Sequence, residues 1–139
     1  MRHAKRRMPR SRDEMANTLF KILVYFLSHE VRSISWVKNL RDTEERGRGL
    51  NGMNRKKGSK YEIFLHEDLQ TNPFRAIHIL VHETFHCLSS MDTNETEEWL
   101  VRKLTAHFWK RGTSQQKLFL LRFLPAFDHY SRQPRQTSI

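Results

Sequence analysis

The run His82-Glu83-Thr84-Phe85-His86 constrains this chain more than any other feature, because it sets three titratable side chains inside what otherwise reads as a buried helix. Asn72 and Pro73 supply an N-cap followed by proline at the first helical position. Phe74, Ile77, Leu80, Val81, Phe85 and Leu88 then recur at helical spacing to about Ser89. A spacing of four puts His82 and His86 on one face, one turn apart. Burying two imidazoles and a carboxylate together is costly unless they are paired or hold a cation. Any fold for this chain must bring a partner to that face.

The pattern carries its own chemistry. Two imidazoles one turn apart can chelate a single ion, and Glu83 can reach a water on that ion without binding it. Zinc lowers the pKa of such a water towards neutrality, and a carboxylate then takes its proton as it attacks a carbonyl. The expected cofactor is therefore Zn2+, with Glu83 as general base and a protein or peptide as substrate. A structural zinc site closes with four protein ligands, often thiolates. Cys87 is the only cysteine, and it points about 100° away from His86 on a helix. It also leaves no internal disulfide, which fits a reducing, cytoplasmic setting.

A third ligand is needed. Asn94 can cap a helix that ends near Arg111, with Gly112 as its stop, and Glu95, Glu97 and Glu98 lie in its first turns. Glu97 shares a stripe with Leu100, Val101, Leu104 and Phe108, so helical phase favours it as the ligand. Glu98 lies about 100° round, on the side of Arg102 and Thr105, and is the alternative. Glu97 also forms a capping-box pair with Asn94, which explains it without a metal. His107 is a further alternative as third ligand, but it sits about 15 Å along the axis from Glu97, so the two do not easily share one ion. His78 extends the histidine row by one turn and reads as an outer partner, or as a histidine hydrogen-bonded elsewhere, rather than as a ligand.

Around this pair of helices the chain reads as one α+β domain over residues 12–130. Ser11 and Glu14 have capping-box spacing, so a helix is expected from Arg12, with Met15, Leu19, Phe20, Leu23, Phe26 and Leu27 on its core face. Ser33–Leu40 reads as a strand, and residues 41–60, with four of the five glycines, as a mobile loop or hairpin. Tyr61–His66 alternates as a strand exposed on one side. Thr113 and Gln116 repeat the capping-box spacing and open a last helix to Leu124, which Pro125 ends.

Residues 1–11 are expected to be a disordered basic arm and 131–139 a disordered tail. The net charge of +10 is concentrated in Arg2, Lys5, Arg6, Arg7, Arg10 and Arg12 and again in Arg55, Lys56, Lys57 and Lys60. Such clusters attract nucleic acid through phosphate contacts, so the arm is a candidate nucleic-acid contact. Leu19–Leu27 is interrupted by Lys21 and is too short to cross a bilayer, and Asp13 and Glu14 spoil it as a signal sequence.

The run Ile79-Leu80-Val81-His82-Glu83-Thr84-Phe85-His86-Cys87-Leu88, followed by Glu97-x-x-Leu100-x-x-x-Leu104, resembles the small gluzincin-type metallopeptidases. It is similar to zincin-like proteins encoded by phages and to the bacterial family that cleaves phage immunity repressors. The resemblance spans about residues 60–108. In those families the glutamate of the second helix is followed by small residues, often alanine, where this chain has Leu100 and Leu104. The resemblance implies the order strand, metal helix, glutamate helix, and implies that Tyr61–His66 binds substrate by strand addition. SprT-like proteases, which act near DNA, are a second comparison. Their third ligand is a histidine soon after the motif, and here none follows His86 before His107. Tyr61, His66, His129 and Tyr130 are candidates to stabilise an oxyanion. Two other functions fit the same residues: an inactive zinc-binding regulator, or a basic nucleic-acid-binding module with structural histidines.

Overall fold

A hairpin forms the centre of the sheet. In the computed structural model, which describes residues 8–38, 40–42, 48–49, 51–89 and 94–127, β4 (Gly52–Lys57) and β5 (Lys60–His66) run antiparallel. Gly58 and Ser59 join them, and Gly58 adopts φ 66°, the left-handed geometry that a two-residue hairpin loop demands. β1 (Val31–Val37) lies parallel to β5 on its other side, giving the order β1-β5-β4. Between them in sequence, β2 (Arg41–Asp42) and β3 (Arg48–Gly49) make a separate two-stranded ribbon.

Four helices complete the α+β fold expected from sequence: α1 (Glu14–His29), α2 (Pro73–Ser89), α3 (Asn94–Arg111) and α4 (Ser114–Phe119). Short 3-10 turns at Glu67–Thr71 and Leu120–Phe123 precede α2 and follow α4. The core lies where α1, α2 and α3 meet β5. Leu23, Ile63, Leu65, Ile77, Leu80, Val81, Val101 and Phe108 are inaccessible to water there. Phe20 stacks parallel to Phe108 at 6.3 Å and meets Phe119 edge-on at 5.4 Å. No helix among the described residues is long and apolar enough to cross a membrane.

The helix boundaries follow their caps. Asn72 Oδ1 accepts from the Arg75 amide at 3.2 Å, and Thr113 and Gln116 form the expected capping box. Gly112 N donates to Phe108 O at 2.7 Å, closing α3. Asn94 opens α3, but its side chain lies outside the described residues.

Other expectations are corrected. α1 starts at Glu14 rather than Arg12, because Asp13 is its cap, accepting from Ala16 N at 3.0 Å. Ser11 instead accepts from Asp13 N and donates to Arg111 O at 2.7 Å. Of the arm expected over 1–11, residues 1–7 lie outside the described residues, whereas Pro9 and Ser11 are tied to the domain. Ser11 exchanges two hydrogen bonds with Asn17, and buried Gln116 donates to both Pro9 O and Asn17 Oδ1. The expected tail, 131–139, lies outside the described residues. β1 is shifted towards the N-terminus of the expected Ser33–Leu40. The last helix turns 3-10 after Phe119, so only its first part is α-helical. The outer face of β5 is partly covered, since Arg55 pairs with Glu62 at 2.7 Å and lies over the Phe64 ring.

Candidate metal centre

α2 presents His82 and His86 towards the start of α3, as a spacing of one turn requires. Their rings meet edge-on, 4.7 Å apart. With them stands Glu98, and one ligating atom from each of the three lies within 4.8 Å of the other two. This group could hold a metal ion. His86 Nε2 is 3.3 Å from Glu98 Oε2. A tetrahedral ion with bonds of about 2.0–2.1 Å separates its ligands by about 3.3–3.4 Å, so this pair already has the needed span.

The favoured third ligand, Glu97, stands elsewhere. Its Oε2 accepts from His86 Nδ1 at 2.8 Å, on the other side of the ring. The stripe through Val101 and Phe108 is buried, and Glu97 at its start meets the His86 ring at Nδ1 while Glu98, one position on, meets it at Nε2. Glu98 was the second choice on the sequence.

Two features of this geometry fit a cation. Glu98 Oε1 is buried without a hydrogen-bond partner, and Arg102 Nε stands 4.0 Å from it. His86 Nδ1 donates to Glu97, which leaves Nε2, on the Glu98 side of the ring, as the atom that could meet a cation. His82 is held neutral, its pKa pushed down to about 4 by burial and then by neighbouring His86. A neutral imidazole is the form that donates a lone pair. Two imidazoles and one carboxylate with an open fourth position form the donor set of a catalytic zinc site.

Glu83 is buried beside this group and is fixed from the sheet. Asn54 Nδ2 donates to Glu83 Oε1 at 2.6 Å. Gly52, two residues earlier on the same face of β4, permits the approach. A Cβ there would lie 2.5 Å from Ile79 Cγ2 and 3.1 Å from Glu83 Cγ. Burial raises the Glu83 pKa, while the Asn54 bond and His86 lower it. Neither Asn54 nor Gly52 was picked out from sequence. The available signal was the hairpin, Lys57-Gly58-Ser59-Lys60, which makes a strand of 52–57 and pairs Asn54 with core-facing Ile63.

The remaining histidines and thiol are accounted for elsewhere. His78 meets Trp109 edge-on at 4.7 Å, and its Nδ1 is buried without a hydrogen-bond partner. His107 Nε2 donates to Asp13 Oδ2 at 2.6 Å. Cys87 is buried, with its thiol pushed up to about 12 by desolvation, so it offers no thiolate. Tyr61 packs on Phe26, and His66 Nδ1 accepts from the Asp68 amide at 3.1 Å. His129 and Tyr130 lie outside the described residues. Compared with known proteins, the chain matches no family model, no curated protein and no solved structure.

Proposed function

We propose that this chain is a zinc-dependent hydrolase of peptide bonds, with His82, His86 and Glu98 as ligands and Glu83 as general base. The observation that carries the proposal is the pairing of a three-residue ligand group with a buried, clamped carboxylate from the same helix turn. A bound zinc ion supplies a Lewis acid and a water acidified towards neutral pH. With zinc held there, Glu83 would be the group that accepts the water's proton. Asn54 occupies Oε1, which leaves Oε2 as the accepting atom, and burial raises the carboxyl's affinity for the proton it would carry. Passed on to the leaving amine, the proton would complete hydrolysis.

The strand that takes the substrate is β4 rather than the β5 that the family resemblance implied. β5 is paired on both sides and has no free edge. β4 is an edge strand, and His66 N bonds to Asn51 O across the hairpin. That register turns the backbone groups of Gly52, Asn54 and Lys56 outwards, beside Glu83. A peptide adding to this edge passes the ligand group with its carbonyls in reach. An inactive zinc-binding protein is the rival reading, and one variant separates the two. Glu83→Gln removes the base and no ligand, so zinc content should stay near one per chain while cleavage of a substrate protein falls by about a hundredfold or more. Undiminished cleavage by Glu83→Gln rejects the mechanism; absence of zinc from the wild type after reconstitution rejects the site.

A further inference from the structure

His86 stands between two consecutive carboxylates of α3. Glu97 Oε2 lies 2.8 Å from its Nδ1, and Glu98 Oε2 lies 3.3 Å from its Nε2. Neighbouring helix positions point about 100° apart, which lets one dipeptide reach two sides of a single ring. A carboxylate can only accept, so the Nδ1 contact requires the hydrogen on Nδ1 and leaves Nε2 as the ring atom that could meet a cation beside Glu98. The Nδ1 side is sheltered: the His86 and Glu97 side chains are 19% and 17% exposed, against 44% for Glu98. His82 packs edge-on against His86, so the plane of one ring bounds the position of the other.

We propose that Glu97 is a positioning residue. It holds His86 in the Nδ1–H tautomer and aims Nε2 into the space shared with His82 and Glu98, so metal affinity depends on Glu97 without Glu97 touching the ion. The proposal rests on the metal-site reading above and divides the labour of the two glutamates: Glu98 binds, Glu97 orients. It also explains a carboxylate on a core-facing stripe without a ligand role. An imidazole with a fixed tautomer pays no penalty of reorganisation when the ion arrives.

The test has two readouts on the full chain. Long-range nitrogen–proton NMR on metal-free protein, at a pH high enough for the ring to be neutral, reads the His86 tautomer, and competition titration with zinc alone reads affinity. The wild type should show the Nδ1–H form. Glu97→Ala should mix the tautomers and weaken zinc binding by about 10–100-fold, while Glu98→Ala weakens it further. Glu97→Gln keeps an acceptor oxygen and should recover most of both losses, a rescue that loss of a merely structural contact would not predict. Should Glu97→Ala fail to fold, Glu97→Asp, one methylene short, takes its place. An Nε2–H tautomer in the wild type, or unchanged zinc affinity in Glu97→Ala, overturns the proposal. A chain that binds no zinc yet keeps the Nδ1–H form overturns the metal-site reading instead and leaves Glu97's hold on His86 standing.

Discussion

Single atoms decide whether this site can exist. α2 packs against β4 at a residue with no side chain, so Gly52→Ala drives a methyl to 2.5 Å from Ile79 Cγ2. Overpacking of this kind costs about 1–3 kcal/mol, and the expected result is a lower urea midpoint with an unchanged slope. Because Glu83 Oε2 lies 3.2 Å from the same position, the variant should also lose more hydrolysis than its stability loss explains. A second residue-scale prediction concerns Asp13, which caps α1 and accepts from His107. Its pKa is lowered from 3.8, first by the His107 bond and then by the Ala16 amide. A depressed carboxylate stabilises the fold above its unfolded-state pKa, and that stability is lost as pH falls through the folded value. Asp13→Asn should therefore be less stable than the wild type near neutrality, with the difference shrinking as pH falls below about 3.8. Thermal melts of both proteins against pH measure it, and a gap constant down to pH 2 would reject the ion pair's contribution.

At the level of elements, helices were legible from sequence where their end signals are local. Asn72-Pro73 and Thr113-x-x-Gln116 each contain the donor, the acceptor and the spacing in a few residues, and both caps form as expected. Replacing Thr113 by Ala should cost about 1 kcal/mol of unfolding free energy, measured by denaturant titration. Ser11-x-x-Glu14 has the same spacing, yet Asp13 wins the cap because the Ser11 hydroxyl is taken by Arg111, a hundred residues away. Local spacing carries no trace of that competitor. The motif helix and both histidines were likewise readable, because periodicity of four is a property of α2 alone. The choice between Glu97 and Glu98 was not, since it depends on how α3 rotates against α2, and hydrophobic phase reports the core side of a helix rather than the side facing a neighbour's polar atoms. Asn54 and Gly52 were hidden for a third reason. Their role comes from strand pairing across a hairpin in a stretch rich in glycine and charge, where alternation is weak.

At the scale of the whole molecule, the described members of the two basic clusters lie at opposite ends of α1. Arg10 and Arg12 precede α1, whereas the β4–β5 hairpin reaches its far end, with Lys60 donating to His29 O and Tyr61 N to Glu30 O. The 16 residues of α1 span about 24 Å. If the N-terminal cluster contacts nucleic acid, removing residues 1–7 deletes Arg2, Lys5, Arg6 and Arg7 while sparing the Ser11 network. The slope of log affinity for duplex DNA against log salt should then flatten by up to about 3.6, at about 0.9 per phosphate contact. An unchanged slope would exclude those four charges from binding. The Ser11 network itself dictates an order of events. Arg111 lies 100 positions beyond Ser11, and Gln116 lies 107 beyond Pro9 and 99 beyond Asn17, so none of these three bonds can form early. At about 5–20 residues per second a ribosome needs roughly 5–20 s to make the intervening chain. During that time the β4–β5 hairpin and the turn into α2, whose contacts are short in sequence, can assemble. The N-terminal segment is then the last piece to dock, fastening α1 to the end of α3 and the start of α4 after His82, His86 and Glu98 have met.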